Sequence, residues 1–166
     1  MLTRRNTVDN GSANWISVGD VKLKFVKNYV DLPSLKLKNA IHFSACSYSG
    51  PIALAYSHST TSWFISIWMS SGLSLKERIE VPDVFTVEWT KGHRLLVIDR
   101  RGNSFLYSSL GELVSNFHFS SNIREVRDVR VFTTTHDSGV AVLDDQMRVF
   151  IVNSVNEPIV WSMHNR

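Results

Sequence analysis

The chain is poor in cysteine, in long apolar runs and in charge of one sign, and each shortage closes off a class of protein. Cys46 is its single cysteine. One thiol forms no internal disulfide and no multi-thiolate metal site, and it fits a reducing cytosol and a small residue packed in a strand. No apolar run approaches the roughly 20 residues that a membrane-spanning helix needs. The longest, from Trp63 to Met69, has the length of a strand. Residues 1–10 carry Arg4 and Arg5 but no apolar stretch, so they do not read as a secretory signal. Asn10-Gly-Ser12 matches a glycosylation sequon and is read as a disordered turn. The 18 Lys and Arg against 15 Asp and Glu leave a net charge of +3, too small an excess to imply nucleic acid by itself.

What the chain does have is apolar and aromatic content. Hydrophobic residues make up 43%, with nine Phe, five Trp and four Tyr, enough for a packed core and far from a disordered composition. Its 166 residues are the length of one domain. The apolar segments recur. Pro51-Ile-Ala-Leu-Ala-Tyr56 returns as Arg94-Leu-Leu-Val-Ile-Asp99 and again as Gly139-Val-Ala-Val-Leu-Asp144. The spacing is roughly 40–45 residues, the period of propeller blades built from four short strands. A further strand follows each copy, centred on Ile67, Tyr107 and Ile151.

Period-two alternation and turn chemistry divide the chain further. Residues 1–13 read as a disordered tail, and 14–39 as a leading strand and loop, with Val21, Leu23 and Phe25 on one face and Lys22 and Lys24 on the other. Residues 40–162 hold three blades. The first, 40–80, is expected to contain strands at 40–46, 51–57, 63–69 and 73–79. The second, 84–118, has them at 85–90, 94–99, 104–107 and 112–117. The third, 126–162, has them at 129–132, 140–143 and 147–152, with a weak fourth near 159–161. Ser, Gly, Asn and Asp fill the breaks. Residues 121–130 read as a loop with at most one helical turn. The second strand of each unit is almost continuously apolar and the fourth is the most polar, as a radial blade with a buried inside and a solvated outside requires. The predicted fold is all-β, a WD-repeat-like β-propeller of about three four-stranded blades. Since a propeller closes with about 4–8 blades, it is expected to be incomplete.

Little in the sequence points to bond chemistry. Six histidines are scattered, none in an H-x-H or i, i+4 pair, whereas a zinc site needs about four converging ligands. No G-x-S-x-G elbow occurs for a serine nucleophile. Asp144-Asp145 and His136-Asp137 read as turn residues, and Asp99-Arg-Arg-Gly102 lacks the glycine run of a phosphate loop. No cofactor and no metal site are expected. The one local basic cluster is Lys22, Lys24, Lys27, Lys36 and Lys38. It reads as the solvated face of an edge strand, where lysine blocks unwanted pairing, or as an interaction surface attracted to an anionic membrane or an acidic partner. No stacking motif accompanies it, so nucleic acid is not expected as a partner.

The order of several motifs resembles a known family. Ala13-Asn-Trp15, Gly19-Asp20, Phe25-Val-Lys-Asn-Tyr29 and Gly50-Pro-Ile-Ala-Leu54 are followed by Ser70-Ser-Gly-Leu73, Val126-Arg-Asp-Val-Arg-Val-Phe132 and Ser138-Gly-Val-Ala-Val-Leu143. Together they are similar to the opening blades of the vacuolar protein sorting-associated protein 16 family. The resemblance implies a core subunit of the HOPS and CORVET tethering complexes, which act in fusion at endosomes, lysosomes or vacuoles. It implies a cytoplasmic protein, peripheral to late endosomal and lysosomal (vacuolar) membranes through its complex, with the other class C subunits as partners. In that family a long α-solenoid after the propeller carries the contact to the Sec1/Munc18-type subunit, so that contact is not expected of this chain.

Three function classes are thus in play. The first is a non-enzymatic interaction module of a tethering complex. The second is a small all-β enzyme, for which convergent acid, base or metal groups are missing. The third is a basic lipid- or nucleic-acid-binding domain working through the lysine cluster. Three blades with open flanks are also expected to self-associate or to need a partner.

Overall fold

The computed structural model describes residues 15–18, 21–24, 40–46, 50–57 and 62–163. Two short strands, β1 (Trp15–Val18) and β2 (Val21–Lys24), pair as an antiparallel hairpin. The next twelve strands form three antiparallel four-stranded sheets, each a simple meander in chain order. The first sheet holds β3 (Ala40–Ala45), β4 (Ile52–Ser57), β5 (Trp63–Trp68) and β6 (Ser74–Val81). The second holds β7 (Val84–Trp89), β8 (Leu95–Asp99), β9 (Asn103–Tyr107) and β10 (Leu113–His118). The third holds β11 (Val126–Thr133), β12 (Ser138–Asp144), β13 (Val149–Val152) and β14 (Val160–Met163). The described residues contain no helix. This is an all-β, propeller-like array of three blades, short of a closed ring.

Most strands lie close to the spans read from periodicity, with three differences. The segment expected as a loop over 121–130 becomes strand from Val126, because β11 keeps its pairing with β12 past a bulge between Val126 and Asp128. The weak fourth strand of the third blade is a regular one, paired over Val160–Met163 with β13. The repeat centre at Tyr107 shifts by one residue. Leu106 faces Leu96 as Ile67 faces Ala53 and Ile151 faces Ala141, and a one-residue slip puts a side chain on the opposite face. The tail at 1–13 and the loop expected at 31–39 lie outside the described residues.

One five-residue loop closes five of the hairpins. In 69–73, 90–94, 99–103, 108–112 and 144–148 the fourth residue donates its N–H to the first carbonyl. That fourth residue has φ > 0 in every case: Gly72, His93, Gly102, Gly111 and Met147. This is a type I turn followed by a left-handed residue, a common three-residue hairpin connection. A side-chain oxygen at the first position often completes it. Asp99 Oδ1 accepts from the N–H groups of Arg101 and Asn103, Asp144 Oδ1 from Gln146 and Arg148, and Ser108 Oγ from Leu110 and Glu112. Glycine occupies the left-handed position without steric cost; His93 and Met147 do not.

The sheets stack face to back. Ala53, Ala55, Ile65 and Ile67 of the first sheet pack on Val87, Leu95, Val97 and Tyr107 of the second in one core cluster. Leu96, Ile98 and Leu106, on the other face of the second sheet, pack on Val140, Val142, Phe150 and Val152 of the third. Alternate residues of β8 therefore serve two different cores, which is why Leu95–Asp99 is buried throughout. Within the third sheet the Phe132 ring lies on Gly139, so that a Cβ there would overlap it, with the Val152 carbonyl 2.8 Å away on the backbone side.

Two stability effects follow from this geometry. Gly139→Ala should cost about 1–3 kcal/mol, because a fixed carbonyl leaves the new methyl nowhere to go; a denaturant midpoint unchanged within error would contradict the packing. Met147 is exposed, so Met147→Gly should relieve left-handed strain and raise stability by up to about 1 kcal/mol, read as a higher Tm.

Candidate interaction surface

The blades are locked together by polar bonds at the ends of the strands. Between the first and second sheets, the Ser44 hydroxyl donates to Glu88 at 3.2 Å, and the Trp89 indole N–H donates to the Ser44 carbonyl at 3.2 Å. Cys46 Sγ lies 3.0 Å from His93 Nδ1, which explains why a histidine is held at the left-handed position of that loop: its ring reaches across to the neighbouring blade. Between the second and third sheets, the Lys91 backbone N–H donates to Ser138 Oγ at 2.7 Å and its ammonium to the Thr135 carbonyl at 2.8 Å. At the opposite end, the Val126 N–H donates to the Arg100 carbonyl at 2.8 Å. The Arg100 guanidinium also sits 3.3 Å from Asp83 and 4.0 Å from Glu125. These ion pairs are exposed and contribute little individually.

The acidic residues singled out in the sequence are turn-formers. Asp144 is fully buried, accepts the two loop N–H groups and meets the Arg148 guanidinium at 2.7 Å. Burial pushes its carboxyl up; the bonds from the Arg148 backbone and side chain, the Gln146 N–H and the Arg148 charge outweigh that and hold it below the usual carboxylate range. Asp137 is governed the same way. Burial raises it, while the Ser154 hydroxyl and the N–H groups of Ser138 and Asn156 lower it further. Asp145 gives its N–H to the Glu125 carbonyl. No cluster of three or more His, Cys, Asp or Glu side chains is placed to hold a metal among the described residues.

Of the lysine cluster, Lys22 and Lys24 fall on β2, and Lys27, Lys36 and Lys38 lie outside the described residues.

What the sheets present is an apolar face that no sheet among the described residues covers. Ala141, Leu143, Val149 and Ile151 occupy in the third sheet the positions that Leu96, Ile98, Ser104 and Leu106 occupy in the second. The second-sheet residues are fully buried by the blade that follows; those of the third sheet are only half-buried, and Phe132, Trp161 and Met163 beside them are exposed. Strand periodicity could not single out this face, because both faces of β12 and β13 read as apolar. The arrangement can bind a flat, apolar partner surface.

Three successive four-stranded meander sheets, packed face to back, define a β-propeller-type repeat protein. Residues 11–166 match the family described as Vps16, N-terminal region, and the chain belongs to that family. It is similar to the vacuolar protein sorting-associated protein 16 homolog of Caenorhabditis elegans, with 43% identity over 149 residues, which is 89% of this chain and 18% of that protein. The chain thus spans under a fifth of the length of this curated relative. No helix among the described residues is long and apolar enough to cross a membrane.

The lowered Asp144 carboxyl has a pH signature. Its stabilisation is fully present above the ordinary carboxylate value of about 3.9 and is lost as pH falls through the lower folded-state value. Asp144→Asn should cost about 2 kcal/mol at neutral pH, and the gap to the parent should close below about pH 4. A gap that persisted unchanged at low pH in urea titrations would rule out the charge as its origin.

Proposed function

We propose that the chain is a non-enzymatic interaction module acting in vacuolar protein sorting, as part of an endolysosomal membrane-tethering complex of the HOPS and CORVET type. The observation that carries this reading is the match across residues 11–166, together with 43% identity to a vacuolar protein sorting-associated protein 16 homolog. A fold alone does not assign function; the family membership supplies the context, and the blades supply the means. The mechanism is scaffolding. Rigid sheets hold an apolar face formed by Ala141, Leu143, Val149 and Ile151 where a partner surface can cover it, with no bond made or broken. The partners in this reading are the other class C subunits, and the chain meets late endosomal and lysosomal membranes through them. The division of the chain into blades at 40–80, 84–118 and 126–162 belongs to the same proposal, each blade being one packing unit of the scaffold.

The test is co-purification of the chain with the separately produced class C subunits. Retention of at least one of them is expected, and Leu143→Asp or Ile151→Asp should reduce it about tenfold or more by burying an unpaired charge in the contact. Failure to retain any class C subunit would overturn the proposal.

A further inference from the structure

At the strand ends opposite the Lys91–Ser138 contact, the connection between the second and third sheets forms a braced ledge. Residues 119–126 run beside the loop 99–103 and are tied to it at both ends. The Phe119 N–H donates to the Gly102 carbonyl at 3.2 Å, and the Val126 N–H to the Arg100 carbonyl at 2.8 Å. Between these bonds Ile123 is buried against Gly102, its Cδ1 2.9 Å from the point where a Cβ would stand. The third sheet braces the other side. The Arg148 guanidinium donates to the Asn122 carbonyl at 2.9 Å, and the Asp145 N–H to the Glu125 carbonyl at 2.9 Å. Arg101 precedes Gly102 and Arg124 follows Ile123. The backbone therefore holds these two arginines as neighbours, and both are exposed.

The other arginines at this end are neutralised. Arg100 meets Asp83 at 3.3 Å, Arg127 meets Glu125 at 3.3 Å and Arg148 meets Asp144 at 2.7 Å. The Asp99 carboxylate is taken up by the N–H groups of its own loop, and the Asp145 Oδ1 is buried. Arg101 and Arg124 stand apart. Among the described residues their guanidinium groups make no hydrogen bond, ion pair or ring contact. Two like charges held as neighbours without a counter-charge repel each other until an anion joins them.

We propose that Arg101 and Arg124 form a docking site for a phosphorylated segment of a partner protein, one phosphoryl group bridging the two guanidinium groups. A phosphorylated side chain carries about −1.5 to −2 charge at neutral pH and three acceptor oxygens. That matches two unpaired guanidinium forks in charge and in donor geometry, and arginine clusters are a recurrent means of reading such segments. A membrane matches less well. An anionic bilayer is attracted by a broad basic surface, whereas here Asp83, Glu125 and Asp128 cancel the cations around the pair. The positive field is only two residues wide, the size of one phosphoryl contact. The inference does not depend on the tethering role.

The test titrates an acetylated, amidated Gly-Gly-phosphoserine-Gly-Gly peptide into the full chain and follows the NMR signals of the arginine side chains. Saturable shifts are expected at Arg101 and Arg124, and none with the unphosphorylated peptide. Arg101→Gln and Arg124→Gln should each weaken binding about tenfold or more, since each removes a charge-assisted contact. Arg130→Gln removes an exposed charge already paired with Asp128 and should leave the affinity unchanged. Circular dichroism of all three variants should match the parent's. Vesicles of equimolar phosphatidylserine and phosphatidylcholine should not carry the chain down on sedimentation. The absence of shifts at both arginines at millimolar peptide would overturn the proposal. So would equal binding of the unphosphorylated peptide, or a loss in Arg130→Gln as large as in the other two variants. Vesicle sedimentation that disappears in Arg101→Gln would overturn the choice of partner and assign the pair to a lipid surface.

Discussion

The structure depends on one strand that is buried on both sides. β8 sends Leu95 and Val97 into the core shared with the first sheet, and Leu96 and Ile98 into the core shared with the third. A strand in that position can carry no solvent-facing residue, so its sequence is a continuous apolar run, as in sheets covered on both faces. Every other sheet element is placed relative to it. Interdigitation on either side fixes the spacing of three sheets at once, and the apolar area removed from water along these two seams is the main favourable term.

That packing would not hold a register without the turns. In the five shared loops the first residue and the left-handed fourth residue set where each hairpin reverses. Where the first residue is Asp99 or Asp144, its buried carboxylate satisfies backbone N–H groups that the turn leaves unpaired. Buried acids in this protein are therefore structural. Their hydrogen bonds run to the backbone of their own loops and to nearby Arg148, Asn103 or Ser154, not into a shared cavity. The half-buried front of the third sheet differs from the corresponding face of the second, although the strands themselves are equivalent.

Much of this was legible beforehand. The repeat of Pro51–Tyr56, Arg94–Asp99 and Gly139–Asp144 marked equivalent strands, and the register confirms their equivalence. The turn residues marked most hairpins. The errors have physical causes. Leu106 and Tyr107 are adjacent and both apolar, so periodicity does not choose between them; pairing with Leu96 decides the face. The strand beginning at Val126 was hidden by its charged neighbours Arg127, Asp128 and Arg130, which a strand on the solvated side tolerates. The Cys46–His93 contact across 47 residues had no local signal at all.

The sequence by itself determined the class of fold, the number of blades and the family, because these follow from periodicity, turn chemistry and motif order, all of which are local. Tertiary structure decided which apolar residues are core and which are surface. Leu96 and Ala141 are equivalent in the repeat and both apolar; among the described residues a sheet covers the first and none covers the second, and only that tells them apart. Burial is a property of what lies opposite a residue, and no stretch of sequence around it carries that information.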